Sequence, residues 1–139
     1  MQDSQGYGEI YGMSDAAIPE ISISIKTSYI EEQSNPEQNR FVFAYTIDIK
    51  NRGVTGAKLL TRTWLITDSN NKVQNVHGDG VVGLQPRIRP GESFNYTSGA
   101  ILETPLGCMQ GTYHMVTDEG AEFDAPIPVF RLESKITMH

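Results

Sequence analysis

Three glycines and three arginines have the spacing closest to that of a binding site. Gly78, Gly80 and Gly83 spell Gly-x-Gly-x-x-Gly, Arg87 and Arg89 follow at alternate positions, and Arg62 lies upstream. In a dinucleotide-binding unit this pattern ends a strand and opens a helix, and the helix N-terminus holds the pyrophosphate. Here Pro86 and Pro90 follow the third glycine closely, and no helix can start on Val81–Gln85 and run on through Pro86. The dinucleotide reading is therefore rejected. A looser chemistry stays open. Glycines let consecutive backbone N–H groups converge on an anion. Arg87 and Arg89 can face one side, and Arg62 can add a third charge. The competing explanation is that the glycines serve turn or bulge geometry between strands.

Other chemistry has less support. His77, His114 and His139 are far apart, and no CxxC or HxxxH spacing occurs, so no metal site is expected. Glu31-Glu32 and Asp118-Glu119 lack the spacing of a calcium loop and read as solvated charges. Cys108 sits beside Gly107 and Met109 with no nucleophile-elbow pattern, and reads as a bystander thiol. No paired carboxylates stand out for acid–base work. The residues thus point away from an enzyme, and no cofactor is expected.

The elements that must carry these residues are strands. Ile21, Ile23 and Ile25 alternate with Ser22, Ser24 and Lys26, and Tyr29 continues the apolar face. Phe41, Phe43, Tyr45, Ile47 and Ile49 repeat the pattern until Asn51-Arg52-Gly53 supplies turn chemistry. A third strand covers Leu59–Ile66, and Asp68–Asn71 turns it into Lys72–Val76. Residues Gly78–Pro90 read as a loop with a short extended piece at Val81–Val82. Further strands are expected at Ser93–Ser98, Met109–Thr117, Ala121–Ala125 and about Ile127–Leu132. Pro126 and Pro128 suit an edge position for the last of these. No helix-period stretch of useful length appears. Short strands at this spacing predict an all-β, immunoglobulin-sized sandwich of two antiparallel sheets. Its core should include Ile23, Ile25, Phe43, Tyr45, Ile47, Trp64, Ile66, Tyr96, Tyr113 and Phe130.

The 139 residues fit one domain, read as a flexible leader over residues 1–17 and a sandwich over 18–139. A net charge of −6 opposes phosphate backbones, so nucleic acid is not an expected partner. The chain has no apolar run of membrane-spanning length, so no membrane association is expected. A single cysteine permits no internal disulfide, and the N-terminus has no basic-then-apolar signal pattern. The cytoplasm is the expected location.

Several runs resemble a known family. They include His77-Gly78-Asp79-Gly80-Val81-Val82-Gly83-Leu84-Gln85-Pro86, then Pro90-Gly91-Glu92, Tyr96-Thr97-Ser98-Gly99 and Thr104-Pro105-Leu106-Gly107-Cys108-Met109-Gln110-Gly111-Thr112-Tyr113. Phe41–Tyr45, Arg62–Thr67 and Ile127–Leu132 fit as well. In order and spacing these resemble the ApaG family over roughly Ile18 to His139. Cys108 stands where the family commonly has a small residue such as threonine. The resemblance implies a fibronectin type III-like sandwich and an association with cobalt tolerance and magnesium efflux. It also implies use as a protein-binding module, since related domains occur in F-box proteins and in a polymerase-interacting protein. Two functions are carried forward. One is a non-enzymatic domain that binds an unidentified protein partner. The alternative is a binder of a small phosphate-containing anion, such as a pyrophosphate nucleotide, through Gly78, Gly80, Gly83, Arg87, Arg89 and Arg62.

Overall fold

A computed structural model describes residues 19–134. The expected leader, residues 1–17, and His139 lie outside the described residues. The described residues form eight strands in order: β1 Ile21–Tyr29, β2 Phe41–Asn51, β3 Ala57–Asp68, β4 Val73–Asp79, β5 Arg87–Ile88, β6 Ser93–Leu102, β7 Leu106–Thr117 and β8 Glu122–Glu133. Two single 3-10 turns, Glu31–Gln33 and Pro36–Gln38, are the only helical pieces among the described residues. They fill the polar loop between β1 and β2.

Every pairing is antiparallel. One sheet has the order β1-β2-β6 and the other β4-β3-β7-β8, with β5 paired to the start of β3. The result is a fibronectin type III-like β-sandwich. β1 packs against β8 along one side, which leaves β4 and β6 as the rims of the opposite side.

Period-two patterning explains the core. Phe43, Tyr45, Ile47 and Ile49 of β2 are buried, while Ala44, Thr46, Asp48 and Lys50 between them are half-buried on the outer face. Trp64 is at the centre, its ring 5.5 Å from Tyr45, 5.8 Å from Phe130 and 6.5 Å from Tyr113. Gly111 of β7 lies opposite Trp64, and a Cβ there would meet the indole at 3.0 Å. Ile66, Tyr96 and Tyr113 are buried as expected. Ile23, Ile25 and Phe130 are only half-buried, because among the described residues β1 and β8 have a sheet neighbour on one side only.

Several element ends differ from the sequence reading, and three of the differences change the architecture. β6 continues past Ser98 to Leu102 through Gly99 and Ala100, which the weak alternation there did not signal. Four residues of the expected Gly78–Pro90 loop are in strands: Gly78 and Asp79 end β4 opposite Arg62 and Thr61, and Arg87 and Ile88 pair with Lys58 and Ala57, with the Ile88 side chain in the core. Finally, Ala121–Ala125 and Ile127–Leu132 are one strand, β8, which runs through both prolines. Pro126 can be accommodated because Thr117 N–H bonds Ala121 O. That phase makes Thr112↔Pro126 a pair without ladder bonds, so the missing proline N–H faces the outer rim. Pro128 falls at the register shift between Phe130 and Ile127, a β-bulge.

Candidate functional site

The Gly78–Gly83 segment is the end of β4 and a tight hairpin. Gly78 is in the ladder, directly opposite Arg62 of β3. Gly80 has φ +62° and donates its N–H to Leu60 O at 2.8 Å. Val81 and Leu84 exchange both backbone bonds, at 2.8 and 2.9 Å, around Val82 (φ +43°) and Gly83 (φ +80°). Two successive left-handed residues between a bonded pair make a type I′ turn. Gly80 and Gly83 thus supply positive φ, as turn geometry requires. Val82 is unusual, since a β-branched side chain in this region is strained.

The hairpin is fastened at its base. Val81 is fully buried, Gln85 donates to Leu60 O, and Arg62 Nη1 donates to Asp79 O at 3.0 Å and Gly80 O at 2.9 Å. The Arg62 guanidinium lies against Gly78, where a Cβ would sit 2.9 Å from Nη1. The six candidate anion ligands are therefore only partly brought together. Arg62 meets Gly78 and Gly80, but it does so by donating to loop carbonyls. Arg87 points elsewhere, holding both carboxylate oxygens of Asp118 at 2.9 and 2.7 Å. This pair raises the Arg87 pKa and lowers that of Asp118. Arg89 is exposed, with Glu92 at 4.0 Å. The amides of Val82 and Gly83 have no protein acceptor among the described residues.

Behind the loop, three tyrosine hydroxyls cluster inside the sandwich. Tyr96 and Tyr113 share a hydrogen bond of 2.5 Å. Burial raises the pKa of Tyr113 and Tyr45, and pushes that of Tyr96 up to about 12, so all three are neutral phenols at pH 7. Tyr96 and Tyr113 satisfy each other, Tyr45 is bonded to Ser98, and none of the three is a phenolate base or nucleophile at that pH.

The histidines and the cysteine are dispersed. His77 Nδ1 meets Thr63 Oγ1 at 2.9 Å on the exposed outer face, and no third group orients that pair. His114 of β7 bridges two carboxylates of β8, Asp124 at 2.8 Å and Glu122 at 2.7 Å, and these raise its pKa. Cys108 is half-buried between Thr67 and Arg131 on the neighbouring strands. Among the described residues no group of three or more His, Cys, Asp or Glu is arranged to hold a metal ion. No helix there is long and apolar enough to cross a membrane. A cleft of about 760 Å³ opens on the β1–β8 side between Tyr29 and Arg131. Among the described residues its one cation, Arg131, lies 3.6 Å from Glu133, and no second positive charge converges there.

The His114 bridge and the Arg87–Asp118 pair were missed in the sequence. The first was legible in principle. Folding the hairpin on Asp118-Glu119-Gly120 places Asp124 opposite His114, which a register argument finds. The second joins β5 to the β7–β8 turn, and no local pattern signals a contact of that range.

The rims differ more than any pocket does. On the β1–β8 side the edge strands contain Lys26, Pro126 and Pro128, devices that block further pairing. On the other side β4 carries one charge, the terminal Asp79, and β6 carries none in ten residues. Ladder phase tells which backbone groups there have no strand partner among the described residues. Gly80 N–H bonds Leu60 O, so Val73, Asn75, His77 and Asp79 turn their backbone groups outward from β4. Asp79 O is already taken by Arg62. Asn51 N–H bonds Glu92 O, so Ser93, Asn95, Thr97, Gly99 and Ile101 face outward from β6.

Comparison with known proteins agrees with this architecture. The family model described as the ApaG domain matches residues 31–117. The chain is 52% identical over 121 residues to Protein ApaG of Cronobacter sakazakii, covering 87% of this chain and 97% of that one. It is 53% identical over 120 residues to Protein ApaG of Thiobacillus denitrificans, covering 86% and 94%. The crystal structure of the putative ApaA protein from Bordetella pertussis superposes with a TM-score of 0.83 at 47% identity, covering 86% of this chain and 97% of that one. The sandwich, the Gly78–Gly83 hairpin with its neighbours and these matches place the chain in the ApaG family.

Proposed function

We propose that this domain is a non-enzymatic binding module of the cytoplasm, and that its partner is another protein taken up on the β4–β6 side. The observation that carries this reading is the contrast between rims. One side is blocked by prolines and a lysine, while the other presents two strands whose outward backbone groups, Asp79 O excepted, lack partners among the described residues. Unpaired N–H and C=O groups in a row are a template for a further strand. The Val81–Leu84 hairpin adds to the same side, with Val82 and Leu84 54% and 53% exposed. The test is a photo-crosslinking amino acid placed at Asn75, Thr97 or Val129 in cells that make the protein. The captured protein is then purified and its affinity measured. Capture from Asn75 and Thr97 but not from Val129, with an affinity weakened by rim substitutions, supports the reading. Equal capture from Val129 overturns it. So does turnover of nucleotide or polyphosphate by the purified chain, if replacing one of its own residues abolishes that turnover.

The small-anion alternative draws on the uncommitted amides of Val82 and Gly83 and on exposed Arg89. Titration with inorganic pyrophosphate, followed by amide NMR shifts, tests it; no shift at Gly78, Gly80 or Gly83 at millimolar ligand removes it. The link to cobalt and magnesium, which the family resemblance implies, is read here as acting through the protein partner. Calorimetry with Co²⁺ and Mg²⁺ on the native chain and on His77→Ala tests direct binding instead.

A further inference from the structure

We infer that the docking rim is β6, and that it takes an extended, uncharged peptide segment as a fourth strand, with an aromatic or large aliphatic side chain of that segment lying over Gly99 beside Ile101. The inference rests on the partner-binding reading above and narrows it to one edge, one register and one ligand chemistry.

Three observations choose β6 over β4. β6 offers outward backbone groups at five alternate residues. β4 offers complete sets at three, because Arg62 occupies Asp79 O. β6 has no charged residue, so nothing along it repels or must be desolvated against an incoming strand. The side chains at its outward positions are small or exposed, and none folds back over the rim: Asn95 bonds Asp48 and Thr97 bonds Thr46, both inward across the sheet.

The side-chain preference follows from the same strand. In register across the outer face, Gly99 lies beside Ala44, and Ile101 beside Val42. Val42 is buried because the turn at Glu31–Gln33 covers it, with Ile30 N–H on Val42 O and Val42 N–H on Ser34 Oγ. Ile101 is left 49% exposed at the edge of this apolar ground, and Gly99 adds no side chain of its own. A glycine on an edge strand is matched by a large ring on the neighbouring strand, which covers the bare backbone. The partner residue opposite Gly99 therefore gains by being aromatic or bulky. A second copy of this chain is the poorer occupant. Two copies paired rim to rim would share a strand of only ten residues each, so most of the roughly 1,200 Å² that a stable interface buries would have to come from outside the strand. A flexible segment can also wrap over Gly99 and Ile101.

The test uses the full chain and a random dodecapeptide display library as the probe. Enriched peptides should be poor in charge over a stretch of at least five residues and should carry an aromatic or large aliphatic residue within it. Their binding should shift the amides of Asn95, Thr97, Gly99 and Ile101. Thr97→Pro removes one outward N–H that no bond among the described residues uses and should weaken binding at least tenfold. Thr97→Lys, which leaves the backbone intact, should do the same if the proline variant folds poorly. Replacing the aromatic residue of the peptide by alanine should also weaken binding tenfold or more. Peptides that bind but shift Asn75 and His77 would overturn the choice of β6 while leaving the partner-binding reading standing. Binding that survives both Thr97 variants would do so as well, and failure to enrich any peptide would overturn both. Concentration-dependent dimerisation that Thr97→Lys abolishes would show that the rim takes a second copy, against this inference.

Discussion

Replacing Gly80 and Gly83 separately by alanine distinguishes a hairpin fixed to the core from a loop that is merely flexible. Both glycines have positive φ, so alanine at either costs about 1–2 kcal/mol from the left-handed conformation alone, and part of that is offset by the stiffer unfolded chain. Around Gly83 a Cβ meets nothing within 4 Å, so the net loss there should be about 1 kcal/mol. At Gly80 a Cβ collides with the backbone carbonyl of Leu84, which no rotamer change relieves. The hairpin must shift, which endangers the Val81–Leu84 pair of backbone bonds, about 1 kcal/mol each. It also endangers the burial of Val81, about 1.5–3 kcal/mol when complete. Gly80→Ala should therefore cost about 3–5 kcal/mol, several times the cost at Gly83. Urea denaturation followed by Trp64 fluorescence measures both, with the slope m checked for constancy. Equal losses, or a larger loss at Gly83, would refute the claim that the hairpin is held by its base.

Three further outcomes follow from the same contacts. Val82→Asn should stabilise the chain by about 0.5–1 kcal/mol, because asparagine tolerates the left-handed region that strains a β-branched residue; thermal melts of the two proteins check this. Trp64→Ala should cost about 3–5 kcal/mol, since the indole is buried among Tyr45, Tyr113 and Phe130; denaturant unfolding reads the loss directly. The His114 bridge should make stability fall with rising pH. Its folded pKa is raised by Asp124 and Glu122, so its contribution is complete below the unfolded histidine value near 6.5 and is lost as pH passes the folded value. The difference in stability between native chain and His114→Gln should therefore shrink from pH 6 towards pH 9, and a pH-independent difference would contradict the bridge. Lys58 and Thr61 are the β3 residues opposite Val116 and His114, and they add no further acidic group there.

The strand pattern was legible because period two reports one buried face directly. That is why β2, with five alternating apolar residues, was read almost to its ends. Burial of Ile23, Ile25 and Phe130 was over-read for the same reason. Alternation names the inward face but not whether the strand is central or at a rim. Pro126 and Pro128 did mark a rim, yet they also suggested a break that the ladder phase and a bulge make unnecessary. The glycine pattern was legible as turn geometry, but the role of Arg62 was not. A cation near a glycine loop reads as an anion ligand until the carbonyl orientation at Gly80 is known. The open rims were wholly illegible, since which edges stay unpaired depends on the order of strands in two sheets. Once that order is known, the absence of charge in Ser93–Leu102 becomes informative.

Hydrogen exchange of the free, full chain tests the central claim most directly, because an unpaired rim leaves an alternating signature. The amides of Ser93, Asn95, Thr97, Gly99 and Ile101 should exchange at near-unprotected rates, while those of Phe94, Tyr96, Ser98, Ala100 and Leu102 should be protected by the β2 ladder. Uniform protection along β6 would mean that its outer edge is already occupied, and the account of this rim as a docking strand would be wrong.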